Sequence, residues 1–128
     1  MAQAAVKNFA GPKGTVGTPD GAVLDRDHLT RMTFGDQNLE REVLQLFDRQ
    51  AELLLGRMRV SEPTAVVTLA HTLKGSAVGI GAGRVACAAE SAELVAGRAP
   101  RECARAIDQL TQAVNEARAH IAAILSAH

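Results

Sequence analysis

From Val23 onward, apolar residues recur at three- and four-residue steps, the spacing that lines one face of an α-helix. The opening of the chain lacks this period. Residues 1–20, MAQAAVKNFAGPKGTVGTPD, are interrupted by Gly11, Pro12, Gly14, Gly17 and Pro19 and read as a flexible leader. A short helix is expected over 25–32, anchored by Leu24 and Leu29. Phe34-Gly35-Asp36 then breaks the pattern. Asp36 can N-cap the next helix, and Glu40 adds negative charge to its first turn. That second helix is expected over 37–57, with Leu39, Val43, Leu46, Phe47, Gln50 and Leu54 along its stripe and Leu44, Ala51 and Leu55 widening it.

The next boundary is Val60-Ser61-Glu62-Pro63, where Ser61 can act as N-cap and Pro63 suits a first helical turn. The third helix is expected over 62–79 and ends in the glycines of GIGAG, Gly79, Gly81 and Gly83. A dinucleotide fingerprint needs a strand before its glycines, and none precedes these, so they read as a helix break. A fourth helix over 84–96 is rich in small residues (Ala86, Cys87, Ala88, Ala89, Ala92), with Gly97 ending it and Pro100 opening the last. In the last helix Cys103, Ile107, Leu110, Val114, Ala117, Ile121 and Ile124 form the cleanest stripe of all. No segment alternates with period two. Short connections make sequential helices antiparallel neighbours, so the expected fold is all-α: an up-down antiparallel four-helix bundle with a short extra N-terminal helix.

Composition narrows the function. A chain of 128 residues has one-domain length, and 47% hydrophobic residues suffice for a core. Zero formal net charge offers no field for nucleic acid or an anionic membrane. Phe9, Phe34 and Phe47 are the only aromatic residues, too few for a base-stacking platform. Cys87 and Cys103 have no CxxC partner and read as two small buried side chains in a reducing compartment. No apolar run nears the roughly 20 residues of a membrane span, and no signal-peptide pattern opens the chain; a cytoplasmic protein is expected. The histidines are His28, His71, His120 and His128, and none forms a Glu-x-x-His pair, so no metal centre or cofactor is expected. One chain supplies four helices, which makes a monomer the expected state.

The third helix carries the chemistry. At about 100° per residue, Val66, Leu69, Leu73, Ala77 and Ile80 cluster on a core face. His71 falls almost opposite and is expected to point to solvent. Lys74 and Gly75, three and four residues on, share its face, as do Val67 and Val78. A glycine inside a helix costs about 1 kcal/mol relative to alanine, so Gly75 suggests that something approaches closely there. Lys74 can neutralise a phosphoryl group. A neutral imidazole is a nucleophile toward phosphorus, and Nε2, which projects furthest, is the expected attacking atom. Val67 and Val78 beside His71 suggest a small docking patch.

The segment AHTLKGSAVGIGA resembles the signature of histidine-containing phosphotransfer (HPt) domains, with His71, Lys74, Gly75, Ser76, Ala77, Gly81 and Ala82 at the matching positions. The likeness covers about 105 residues. It includes 24–57 with its Phe-Gly-Asp turn and 87–93, where Glu93 matches a position that often carries a polar residue near the histidine. It implies a histidine phosphotransfer domain over 21–128 and a phosphorelay intermediate in two-component signal transduction. In that reading His71 is the phosphoacceptor, Lys74 neutralises charge, Gly75 permits close approach, and Val67, Val78, Ser76 and Glu93 face the partner. The partners implied are receiver domains of response regulators or hybrid histidine kinases, which supply the acceptor aspartate and a bound Mg²⁺. The family carries phosphoryl groups without an ATP site, and no Walker motif or kinase catalytic loop occurs here. Residues 64–70 are apolar or hydroxylated where some relatives carry arginine; Gln45, Gln50 and Arg84 are possible helpers. The alternative is a helical module that docks a signalling partner without phosphorylation.

Overall fold

The computed structural model describes residues 23–127, so the expected leader over 1–20 lies outside the described residues. Helix α1 spans Arg26–Met32, and the Asp25 carboxylate accepts the His28 backbone N–H at 3.1 Å to cap it. Thr33 is its C-cap, Phe34 follows in the left-handed region (φ 56°), and the Gly35 N–H reaches back to the Thr30 carbonyl at 2.9 Å. Asp36 caps α2, Gln37–Arg59, by accepting the Leu39 N–H at 3.1 Å.

Helix α3 spans Pro63–Ile80, and Ser61 is not its cap. Glu62 holds that position without a side-chain bond, while the Ser61 hydroxyl donates to the Arg57 carbonyl at 2.6 Å and closes α2 instead. Gly81 ends α3 in the left-handed region (φ 79°), and the Ala82 N–H bonds the Ala77 carbonyl at 2.8 Å. A Cβ on Gly81 would lie 2.9 Å from the Asp25 Cβ, so this glycine serves both the turn and the close passage of the chain entering α1.

Helix α4 spans Gly83–Arg98 and so runs through Gly97, which was expected to end it. Gly97 lies opposite Val67 of α3, where a Cβ would sit in ordinary contact, 3.9 Å from a Val67 methyl. A 3₁₀ turn, Pro100–Glu102, leads into α5, Cys103–Ser126.

Helices α2, α3, α4 and α5 pack in a ring, each against its sequence neighbour, with α2 closing on α5. Cross-links run in opposite directions along each pair. On α2 and α5, Arg41, Asp48 and Arg59 reach Leu125, Arg118 and Thr111 in turn. On α3 and α4, His71 and Lys74 reach Glu93 and Glu90. These are antiparallel pairings, and the fold is the expected all-α bundle with α1 laid against the end of α3. The core draws on every helix: Leu29, Leu44, Met58, Val66, Leu73, Val85, Leu110, Val114 and Ile121 are essentially inaccessible.

Several side chains depart from the stripe, Leu39 and Val43 among them, each only half-buried. Leu46 is 59% exposed because α2 meets its neighbours through Leu44, Phe47, Ala51 and Leu54, and Leu46 falls outside that arc. Leu69, expected in the core, is only half-buried. Cys103 is buried as expected, but Cys87 is exposed, on the face of α4 away from Val85, Ala89 and Ala92.

Candidate functional site

The underside of α3 fixes everything above it. Val66, Ala70, Leu73 and Ala77 are fully buried, so neither rotation nor sliding of this helix is permitted without opening the core. His71 therefore stands outward, its side chain 69% exposed. A residue's orientation is here dictated by the four neighbours it does not resemble.

The imidazole is not loose. Its Nδ1 lies 3.1 and 3.3 Å from the two carboxylate oxygens of Glu93 on α4. An ionised carboxylate only accepts, so this contact requires the ring proton on Nδ1. That tautomer leaves the lone pair on Nε2, which makes no hydrogen bond among the described residues. The arrangement matches one in which a carboxylate orients a histidine and offsets positive charge arising on the ring.

One helical turn along, the Lys74 ammonium donates to Glu90 at 3.2 Å. His71–Glu93 and Lys74–Glu90 are thus consecutive rungs across the α3–α4 seam, each spaced three residues on its own helix. A side chain at Gly75 would meet nothing within 4 Å, so no part of the bundle requires glycine there. Ser76 is half-buried, its hydroxyl donating to Gln50 Oε1 at 2.8 Å; this ties α3 to α2.

The two valines part company. Val78 is 56% exposed, as expected. Val67 is half-buried and packs on the core, facing Gly97 of α4. The apolar surface missed by periodicity lies on α2: exposed Leu46 and Leu53, with Arg49 and Gln50, line a shallow groove, and Gln50 links it to Ser76 on α3. Of the other possible helpers, Arg84 pairs with Glu116 on α5 at 2.8 Å, and Gln45 is exposed on α2. Among the described residues no group of three or more histidine, cysteine or acidic side chains could hold a metal, and no helix is long and apolar enough to cross a membrane.

No curated protein and no solved structure gives a significant match to this chain. A family model does: the Hpt domain, over residues 37–120, which takes in α2, α3, α4 and most of α5 together with His71, Lys74, Glu90 and Glu93. Hpt domains serve phosphotransfer in two-component signalling, as carriers rather than kinases. With the greater part of its length matched and its helical bundle in agreement, this chain belongs to the Hpt domain family.

Proposed function

We propose that this chain is a phosphorelay intermediate that accepts a phosphoryl group on His71 from an aspartyl phosphate of one receiver domain and donates it to the aspartate of another. The observation that carries the reading is an outward imidazole whose Nδ1 is held by Glu93 while Nε2 has no hydrogen-bond partner among the described residues.

In the accepting step Nε2 attacks phosphorus in line. The P–O bond to the bridging aspartyl oxygen breaks, and the carboxylate departs with its electron pair. The ring becomes cationic, because Nδ1 keeps its proton, and the Glu93 carboxylate offsets that charge. Donation is the reverse. The receiver supplies the Mg²⁺, which neutralises phosphoryl charge when bound there; this chain supplies the nucleophile, its orientation and the Lys74 cation. Gly75 gives the partner's backbone room beside the ring, and Val78, Leu46 and Leu53 offer apolar contact around it. We place this work in the cytoplasm, with the carrier acting as a monomer.

Incubation with a phosphorylated receiver domain is expected to place an acid-labile phosphoryl group on the wild-type chain. His71→Gln is expected to abolish it while helical content stays the same. Label persisting on that variant would move the acceptor elsewhere. Partner binding that survives His71→Ala with no phosphohistidine in the wild type would instead favour a docking module.

A further inference from the structure

Lys74 and its carboxylate partner raise a question about the carrier reading, on which the following rests. In the resting protein the Lys74 ammonium is already engaged, 3.2 Å from Glu90. Glu93, three residues further along α4, is engaged with His71. The two rungs thus carry one fixed cation, Lys74, and two carboxylates. A phosphoryl group on Nε2 adds close to two negative charges at neutral pH. It enters a neighbourhood whose nearest cation is held by another anion.

We propose that Glu90 is a positioning residue that sets the affinity of His71 for the phosphoryl group by competing with it for Lys74. In the unphosphorylated state Glu90 holds the ammonium across the seam. In the phosphorylated state the phosphoryl oxygens and Glu90 share or contest it, and what Glu90 retains is withdrawn from the phosphohistidine. The result is a carrier whose phosphoryl group is held less firmly than Lys74 alone would allow, a useful property for a group that must be passed on.

The geometry suits exchange rather than a fixed bridge. The contact is a single nitrogen-to-oxygen approach, and the Glu90 side chain is more than half exposed. A lysine ammonium is a point charge on a flexible stem that can swing between acceptors. Exposed pairs of this kind shift equilibria by about two- to fivefold. The titratable and charged groups along this seam are His71 on the helix of Lys74 and Glu90 and Glu93 on α4; on the α2 side Gln50 bonds Ser76, with Arg49 beside it in the α2 groove.

The test needs no cognate partner. Phosphoramidate phosphorylates histidine directly: Nε2 attacks phosphorus, the P–N bond of the reagent breaks and ammonia leaves. The ³¹P signal of the labelled protein is then titrated to find the pH at which the phosphoryl dianion takes up its first proton. Glu90→Gln is expected to lower that midpoint by about half a pH unit, equivalent to a roughly threefold change. In a Lys74→Ala background the same substitution is expected to lose most of its effect, since Glu90 then has no cation to withhold. Melting temperatures are expected to stay within about two degrees, because exposed pairs contribute little to stability. An unchanged midpoint overturns the proposal. An equal shift in both backgrounds overturns it too, because Glu90 then acts by direct repulsion. Failure of phosphoramidate to label His71 in the wild type removes the carrier reading and this inference with it, whereas label with an unmoved midpoint removes the inference alone.

Discussion

Among the seams of the bundle laced by cations reaching carboxylates, α2–α5 and α3–α4 are built to different ends. On the α2–α5 seam Arg118 grips Asp48 with a fork, Nε to Oδ1 at 2.7 Å and Nη2 to Oδ2 at 3.4 Å, with Glu52 nearby at 3.9 Å. The hydrogen bond to Asp48 holds the guanidinium above its ordinary proton affinity against the opposing effect of burial. Arg41 and Arg59 add bonds to the Leu125 carbonyl and the Thr111 hydroxyl at the two ends. The α3–α4 seam has a lysine and a histidine in place of arginines, each on one carboxylate. Arginine presents a planar fork that matches a carboxylate; lysine and histidine make contacts that are more easily surrendered. One seam is fastened, and the other is loaded with groups that can change partners.

The sharpest break between them is a double dissociation. His71→Gln is expected to eliminate labelling by phosphoramidate and leave the melting temperature near that of the wild type. Arg118→Ala is expected to leave labelling intact and lower stability by about 1 kcal/mol, a few degrees in melting temperature. Loss of labelling in Arg118→Ala would mean that the fastened seam takes part in the chemistry.

Gly75→Leu separates the docking of a protein donor from reactivity toward a small one. The site is open and helical, so leucine is expected to raise stability by a few tenths of a kcal/mol. Transfer from a phosphorylated receiver is expected to slow by about tenfold, as a bulky side chain intrudes on the approach. Labelling by phosphoramidate is expected to be nearly unchanged. Equal effects on both donors would show that the glycine serves the ring rather than the partner. Glu93→Gln probes the rung itself. It keeps a hydrogen-bond acceptor but removes the charge that offsets the cationic ring, and phosphoramidate labelling is expected to fall by about three- to tenfold. An unchanged rate would reduce Glu93 to a surface contact.

The two seams were unequally legible in the sequence. The helical period revealed the buried face of α3 and hence the outward His71, because Val66, Leu73 and Ala77 leave the helix no other orientation. The same reasoning placed Val67 beside His71 on the surface, where the structure half-buries it. Periodicity knows nothing of α4, whose Gly97 lies opposite Val67. Leu46 was assigned to the core for a similar reason: a broad apolar stripe does not say which of its margins a neighbour will cover. The Lys74–Glu90 and Arg118–Asp48 contacts depend on the register between helices, which no single-helix pattern encodes. Glu93 came into view only through family resemblance, and its bond to Nδ1 only through the packing of α4. Ser61 was a sound capping residue one place too early, drawn instead to the carbonyl of Arg57.

The smallest expected effect tests the comparison most directly. Arg118→Lys keeps the positive charge on the fastened seam but replaces the fork with a point contact of the kind found at Lys74. If permanence there comes from the fork, stability is expected to drop by about 0.5 kcal/mol, with labelling of His71 unaltered. Because Asp48 raises the proton affinity of Arg118, its contribution is complete at any pH below the unfolded guanidinium's titration and fades only as pH climbs through the higher folded value. The difference between Arg118 and the lysine variant is therefore expected to be flat from about pH 6 to 9 in denaturant titrations. A lysine variant as stable as the wild type would mean that charge alone suffices on the α2–α5 seam. The contrast between the seams would then lie in what the α3–α4 cation stands beside rather than in how it is held.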